Sequence, residues 1–200
     1  MRSIDTDLIR ELRQRTGAGY LECKKALEES GGDMEKAISW LRVRGAAKAE
    51  KKILREAKEG TVAAYVHFGG GRLGSLVELD CESDFVARNE EFQQLAREIA
   101  MQIAAFSARY ISEEDVPPDV IEREKAIYAE QARREGRPEK IIPKIVEGKL
   151  QQFFKENCLL CQPYFRDGNR TVRDVLQEAI AKFGENIVVR RFARFEVGKE

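Results

Sequence analysis

Three sets of residues in this 200-residue chain have types and spacings that could do chemistry. Cys158 and Cys161 have the spacing of a redox dithiol or of half a zinc site. His67 could act as a general base, and residues 69–74 match the G-x-G-x-x-G pattern of dinucleotide-binding loops. Each set lacks a companion that its chemistry needs, because no second cysteine pair lies nearby, no nucleophile accompanies the histidine, and a strand pattern follows the glycines where a helix is needed. We therefore expect structural cysteines, a hairpin turn at the glycines, no catalytic residue, no metal site and no cofactor.

Residues 81–89, with the sequence CESDFVARN, stand between a strand pattern and the pattern of a long amphipathic helix. Ser83 can cap a helix that begins directly after it, and this places an aromatic residue, Phe85, just behind the cap. Such a residue either folds back into the core as a hydrophobic staple or stands on an exposed connection. The residues alone leave both alternatives open.

Charge and composition limit the kind of protein. The chain has 35 basic and 35 acidic side chains, so no net positive charge favours nucleic acid or an anionic membrane. It has no run of about 18 apolar residues that could span a membrane, and residues 1–10 are too charged for a signal peptide. Its four cysteines are too few for a secreted disulfide framework. We expect a globular, cytoplasmic protein with reduced cysteines that acts through a specific protein surface, without direct nucleic-acid or membrane contact.

Residues 1–50 have the pattern of a three-helix domain. Apolar residues recur at helical spacing in three stretches, and glycine-containing breaks separate these stretches. The first stretch begins with Ile4, and the third has a suitable N-cap in Asp33 and a suitable stop in Gly45. Residues 51–60 are predicted to form a polar helical connector to the rest of the chain.

After the connector, the apolar period changes from helical to two. Two strand patterns flank the glycine turn as a β-hairpin, and a strand pattern near the C-terminus is a natural partner for this hairpin. The ranges are 62–68 and 73–79 for the hairpin, 90–106, 119–135, 141–157 and 172–183 for helices, and 159–165 and 187–197 for the remaining strands. The pattern predicts an α+β fold, with a core domain over residues 61–200 that contains a small antiparallel sheet.

Three separated parts of the chain, in the same order, resemble the elongation factor Ts family of bacterial translation factors. Residues 12–19 and 23–27 look like the family's ubiquitin-associated-like domain. Residues 84–89 resemble its Thr-Asp-Phe-Val signature. Residues 184–187 and 191–196 are similar to its closing strand. Ser83 stands where the family usually has Thr, and Tyr20-Leu21 stand where a pair of methionines is common. The chain is similar to a short form with a single core module, whereas longer members carry a duplicated module and a helical hairpin.

The resemblance implies a guanine nucleotide exchange factor for the translational GTPase elongation factor Tu. Such a factor acts by binding, without covalent chemistry, and is therefore not an enzyme. The resemblance further implies that Phe85 wedges into the nucleotide domain of the GTPase and that Asp84 disturbs its Mg²⁺ region. Ser83 would cap the turn, and Val86 would pack beneath it. The residues implied for N-terminal docking on the GTPase are Leu12, Tyr20 and Leu21.

Two alternative functions stay open on the sequence. A redox enzyme would use Cys158 and Cys161, and an adaptor for a ubiquitin-like partner would use the N-terminal helices. A measurement of nucleotide release from elongation factor Tu distinguishes the three functions, because only an exchange factor is expected to accelerate that release.

The resemblance also implies a homodimer, because short members of the family tend to pair. The C-terminal strand patterns hold more apolar residues than one face of a small sheet normally buries, and a two-fold contact would cover them. These residues are Leu159, Leu160, Tyr164, Phe165, Phe192 and Phe195. The strand pattern over 187–197 has no cysteine, so we expect pairing that does not depend on a disulfide there.

Overall fold

The computed structural model describes residues 5–199, without the side chains at positions 48 and 50, so Ile4 lies outside the described part of the chain. Within this range the helices are α1 Thr6–Thr16, α2 Tyr20–Glu29, α3 Met34–Glu50, α4 Asp84–Ala87, α5 Glu90–Phe106, α6 Pro118–Arg134, α7 Ile142–Asn157 and α8 Val172–Phe183. The strands are β1 Glu59–Val66, β2 Leu73–Cys81, β3 Pro163–Tyr164, β4 Asp167–Thr171 and β5 Val188–Glu196. Short 3₁₀ turns lie at Glu113–Asp115, Glu139–Ile141 and Leu159–Cys161.

The strands form two antiparallel sheets. One has three strands in the order β1-β2-β5, and in the other β3 pairs with β4. This arrangement confirms the α+β fold class, the β-hairpin and the pairing of the C-terminal strand with that hairpin.

The chain divides into two compact units. The first unit holds the described residues up to Thr61 together with Leu79–Phe92 and Asp174–Val188. The second unit holds Val62–Glu78, Gln93–Arg173 and the described residues from Val189 onward. The predicted division into residues 1–50, 51–60 and 61–200 stays a prediction.

In the first unit, the three N-terminal helices pack around a small apolar core. Asp5 and Asp33 cap α1 and α3 by accepting hydrogen bonds from backbone amides in the first turns. The predicted stop at Gly45 is wrong, because α3 continues to Glu50. Gly45 instead permits close helix packing, since a Cβ there would lie 3.4 Å from the Cβ of Ala181 in α8. Turns and irregular backbone follow from Lys51 up to β1, so the helix predicted for the connector over residues 51–60 is wrong.

In the second unit, α5 covers one face of the three-stranded sheet. The Ser75 hydroxyl of β2 donates to the carbonyl of Ala100 at 2.6 Å, and Arg194 Nε of β5 donates to the carbonyl of Ala104 at 3.0 Å. In the apolar stripe that predicted this helix, Ile99 and Ile103 are buried in this unit, whereas Phe106 at the end of the helix is exposed. The helix predicted over 90–106 is confirmed.

The helices α6 and α7 form an antiparallel helical hairpin. Lys149 of α7 donates to Gln131 Oε1 of α6 at 2.8 Å, and its ammonium lies 5.7 Å from the centre of the Tyr128 ring. Gly136, with a φ of 71°, allows the chain to leave α6 and reverse. The resemblance associated a helical hairpin with longer family members, but this short chain has one as well.

The strand predicted over 159–165 is wrong for most of its length. Leu159–Cys161 form a 3₁₀ turn, because amides of this turn donate to the carbonyls of Tyr110 and Ile111. Strand structure is confined to Pro163–Tyr164, which pairs with β4, a strand that the polar sequence DGNRT did not indicate. Tertiary hydrogen bonds here outweigh the strand propensity of the apolar residues.

Candidate partner-binding site

The strand β2 leads directly into the single helical turn of α4, and we call residues 83–87 the Phe85 turn. Ser83 has the extended backbone of an N-cap, and its Oγ accepts a hydrogen bond from the Val86 amide at 3.4 Å. Its carbonyl accepts a hydrogen bond from the Ala87 amide. The N-cap predicted at Ser83 is therefore confirmed.

The Phe85 turn presents its aromatic ring to solvent. Phe85 is 80% exposed, whereas Val86 and Ala87 are buried, at 6% and 8%. The ring is therefore not a hydrophobic staple, and the exposed alternative is confirmed. Asp84 beside it pairs with Arg88 at 3.2 Å along the surface of the turn, a type of exposed ion pair that contributes little to stability.

One distant carboxylate holds the start of the turn. Glu185 Oε2 accepts hydrogen bonds from the backbone amides of Glu82 and Ser83, each at 3.0 Å, and its Oε1 accepts one from the Ser83 hydroxyl at 2.6 Å. We call this carboxylate and its three donors the Glu185 clamp. In the sequence Glu185 stands out only through the resemblance to the closing strand, because no local pattern reveals a contact across 102 residues.

The next residue, Asn186, ties a further segment to the same place. Its backbone amide donates to Glu82 Oε1 at 2.6 Å, and its Nδ2 donates to the carbonyls of Ile53 and Arg55 at 3.2 and 2.7 Å. Arg55 Nη1 in turn lies 3.7 Å from Glu82 Oε2. The segment after α3, the start of the Phe85 turn and the residues before β5 therefore form one hydrogen-bonded group within the first unit.

The buried thiol of Cys81 is hydrogen-bonded to the first residue of the Phe85 turn. Cys81 Sγ donates to the carbonyl of Ser83 at 3.2 Å. Burial, reinforced by the nearby Glu185 carboxylate, raises the pKa of the Cys81 thiol to about 11. The thiol therefore stays protonated at neutral pH and acts as a structural hydrogen-bond donor.

The three residues predicted for N-terminal docking occupy different environments. Tyr20 and Leu21 lie in the first turn of α2 and are 48% and 77% exposed. Leu12 is 0% exposed and belongs to the core of the three helices. A direct partner contact would need surface that Leu12 lacks, so of the three residues predicted for docking only Tyr20 and Leu21 are placed to make one.

The residues considered for redox and acid–base chemistry lie in the second unit. Burial raises the pKa of the Cys158 thiol to about 12, and burial together with the Glu113 carboxylate raises the pKa of Cys161 above its ordinary value. Both are free thiols, and Arg173 Nη2 lies 3.9 Å from Cys161 Sγ. His67 Nδ1 lies 2.9 Å from the Tyr65 hydroxyl, on the surface of the hairpin. This arrangement favours structural cysteines over a thiolate nucleophile.

Across residues 5–199, no group of three or more His, Cys, Asp or Glu side chains is placed to hold a metal ion. None of the helices found there combines the length and apolar character needed to cross a membrane.

Known proteins are similar to almost the whole chain. The family model described as Elongation factor TS matches residues 47–199. The Elongation factor Ts of Caldanaerobacter subterraneus subsp. tengcongensis is 58% identical over 196 residues, which cover 98% of each chain. That of Thermosipho melanesiensis is 58% identical over 98% of this chain and 100% of its own length. That of Coprothermobacter proteolyticus is 56% identical over 98% of this chain and 99% of its own length.

Proposed function

The chain belongs to the elongation factor Ts family, and we propose that it is a guanine nucleotide exchange factor for elongation factor Tu in translation elongation. Such a factor binds the GTPase more tightly when nucleotide and Mg²⁺ have left, and linkage requires that returning nucleotide weaken its binding equally. It makes and breaks no covalent bond and uses no cofactor, so it is a binding partner and not an enzyme. The proposed location is the cytoplasm, where translation takes place.

The observation that carries the proposal is an exposed aromatic ring on an anchored turn. Phe85 is 80% exposed, although the residues after it are buried and the residues before it are held by the Glu185 clamp. A partner that buries this ring gains a large apolar contact, and an already ordered turn loses little entropy on binding. In the proposed mechanism Phe85 enters the nucleotide domain of the GTPase, and Asp84 brings a carboxylate toward the region that holds Mg²⁺. Ser83 caps the turn, and Val86 anchors it.

The direct test is the release of fluorescent GDP from purified elongation factor Tu. Adding the chain should accelerate release until a plateau is reached, and excess unlabelled GDP should dissociate the complex of the two proteins. Unchanged release at a concentration that saturates binding would contradict the proposal.

The docking contact predicts a separate effect on affinity. Replacing Tyr20 and Leu21 together with Ala should raise the half-saturating concentration of the chain about 10-fold, because interface anchors of this kind contribute on the order of 1–2 kcal/mol. The release rate at saturation should stay near wild type, since the Phe85 turn is untouched. Val43→Ala is the matched control, because Val43 is an apolar side chain on α3 with 74% exposure. A titration in which the double variant and wild type coincide would rule out this docking role.

The cysteine variants test the redox alternative. Cys158→Ser combined with Cys161→Ser should exchange nucleotide at the wild-type rate, because the raised pKa of both thiols leaves little thiolate at neutral pH. The release assay in the presence and absence of reductant measures this. A folded double variant without exchange activity would favour the redox alternative, and binding of a ubiquitin-like protein without any accelerated release would favour the adaptor.

The proposed assembly is a homodimer that binds two GTPase molecules. Of the six apolar residues that suggested pairing, Leu159 and Tyr164 are buried within the chain itself. Phe165 and Phe195 are exposed, and Phe195 lies on the face of the three-stranded sheet opposite α5, which we call the outer sheet face. Its members are Val62 and Val66 of β1, Leu76 of β2 and Phe195 of β5. A second copy of the chain, related by a two-fold axis, would cover this face.

A further inference from the structure

The Glu185 clamp fixes the backbone just before the Phe85 ring. Both carboxylate oxygens are engaged, one with two backbone amides at 3.0 Å and the other with the Ser83 hydroxyl at 2.6 Å. Hydrogen bonds to an ionised carboxylate are shorter and stronger than neutral ones. Three of them on two consecutive residues set the direction of the chain at the point where α4 begins.

The short helix α4 needs such support. It has four residues, and forming one helical turn restricts several backbone dihedrals for a single hydrogen bond. The Ser83 hydroxyl accepts from the Val86 amide while it donates to Glu185, so the clamp also orients the cap. Without the carboxylate, the cap loses this partner and the Phe85 ring can sample several orientations.

A reciprocal contact closes the clamp. Asn186, directly after Glu185, donates its backbone amide to Glu82 Oε1 at 2.6 Å. Hydrogen bonds therefore run in both directions between residues 82–83 and 185–186, and the buried Val86 holds the other side of the turn. A change at Glu185 should act first on the orientation of Phe85.

We propose that Glu185 is a positioning residue for nucleotide exchange, holding Phe85 in the orientation that enters the GTPase. This inference rests on the proposed function. Because the turn is ordered before binding, no entropy is lost in ordering it in the complex. A small displacement of the Phe85 ring should strongly lower the rate of nucleotide release, since such rates depend on the position of the acting group. The exposed side chains of Tyr20 and Leu21 are not part of the clamp, so docking survives its loss.

The test uses the full-length variants Glu185→Ala and Glu185→Gln in the release of fluorescent GDP from elongation factor Tu. The control is Glu178→Ala, because Glu178 belongs to the same unit but its carboxylate lies 3.6 Å from Arg42 and outside the clamp. Glu185→Ala should lower the saturating release rate about 10- to 100-fold and change the half-saturating concentration less than about 3-fold. Glu185→Gln, which offers one acceptor oxygen, should fall between Glu185→Ala and wild type, and Glu178→Ala should match wild type.

The orientation itself has a readout that is independent of exchange. The ¹⁹F resonance of 4-fluorophenylalanine incorporated at Phe85 should be single and sharp in the wild-type background and should broaden or split with Glu185→Ala. An unchanged resonance would overturn the positioning role. A wild-type saturating rate, or a loss confined to the half-saturating concentration, would overturn it too. If circular dichroism shows that Glu185→Ala does not fold, Glu185→Gln is judged by the same criteria.

A parallel measurement on Phe85→Ala separates the two proposals. If Phe85→Ala exchanges at the wild-type rate, the proposed wedge itself fails. If Phe85→Ala loses exchange while Glu185→Ala keeps it, the wedge stands and the positioning inference fails.

Discussion

Phe85→Ala is expected to remove most nucleotide exchange while leaving the chain folded. The ring is exposed, so its loss should change the free energy of unfolding by no more than about 0.5 kcal/mol, as for other surface substitutions. An aromatic hot spot in an interface contributes about 2–4 kcal/mol, so the saturating release rate should fall about 30-fold or more. Urea unfolding and nucleotide release, measured on the same preparation, separate the two effects.

Two other phenylalanines serve as controls for this experiment. Phe68, at the end of the β-hairpin, is 87% exposed, and Phe68→Ala should leave both stability and exchange unchanged. Phe92 is fully buried, with its ring edge-on to Phe183 at 6.1 Å, and Phe92→Ala should lower the free energy of unfolding by about 3–5 kcal/mol. A Phe85→Ala variant that unfolds like Phe92→Ala, or exchanges like Phe68→Ala, would show that Phe85 is not the wedge.

The local parts of the Phe85 turn could be predicted from the sequence, because they depend on neighbouring residues. The cap at Ser83 and the helix that starts at Glu90 follow from side-chain type and apolar spacing. The exposure of Phe85 could not be predicted in this way, since a staple and an exposed ring have the same spacing. Burial of Val86 and Ala87 on the opposite side of the turn decides between them.

The contacts that position the turn could not be read from the sequence, because they join distant segments. Glu185 contacts Ser83, which lies 102 residues earlier in the chain. Part of the strand predicted over 159–165 is a 3₁₀ turn, because its amides donate to the carbonyls of Tyr110 and Ile111. Leu12 shows a related difficulty, since helical spacing marks an apolar position but does not tell whether the core or a partner covers it. The resemblance identified Leu12 as a docking residue but gave no information on its burial.

The outer sheet face predicts that the chain is a dimer in solution. A Cβ at Gly74 would lie 3.7 Å from Val66 Cγ2, which places β1 and β2 side chains on one face. The ion pair between Glu78 of β2 and Arg191 of β5 shows that β5 contributes side chains to the same face. The two charges of this pair cancel. A second copy can therefore pack against it without like-charge repulsion at this point, and light scattering should give about twice the chain mass of 22.8 kDa. The mass should not change with reductant.

Charge placed on the outer sheet face should separate the dimer. Leu76→Glu with Phe195→Glu should give the mass of a single chain, because each substitution would bury an unpaired carboxylate in the contact, at an expected loss of several kcal/mol per ion. Both side chains are exposed within the chain, so the variant should remain folded, as circular dichroism can verify. Ile127→Glu is the matched control, because Ile127 is comparably exposed but belongs to α6 and not to the outer sheet face, and this variant should leave the mass of the dimer unchanged. A wild-type mass near 22.8 kDa at micromolar concentration would contradict the dimer, and a dimeric double variant would place the contact on another surface.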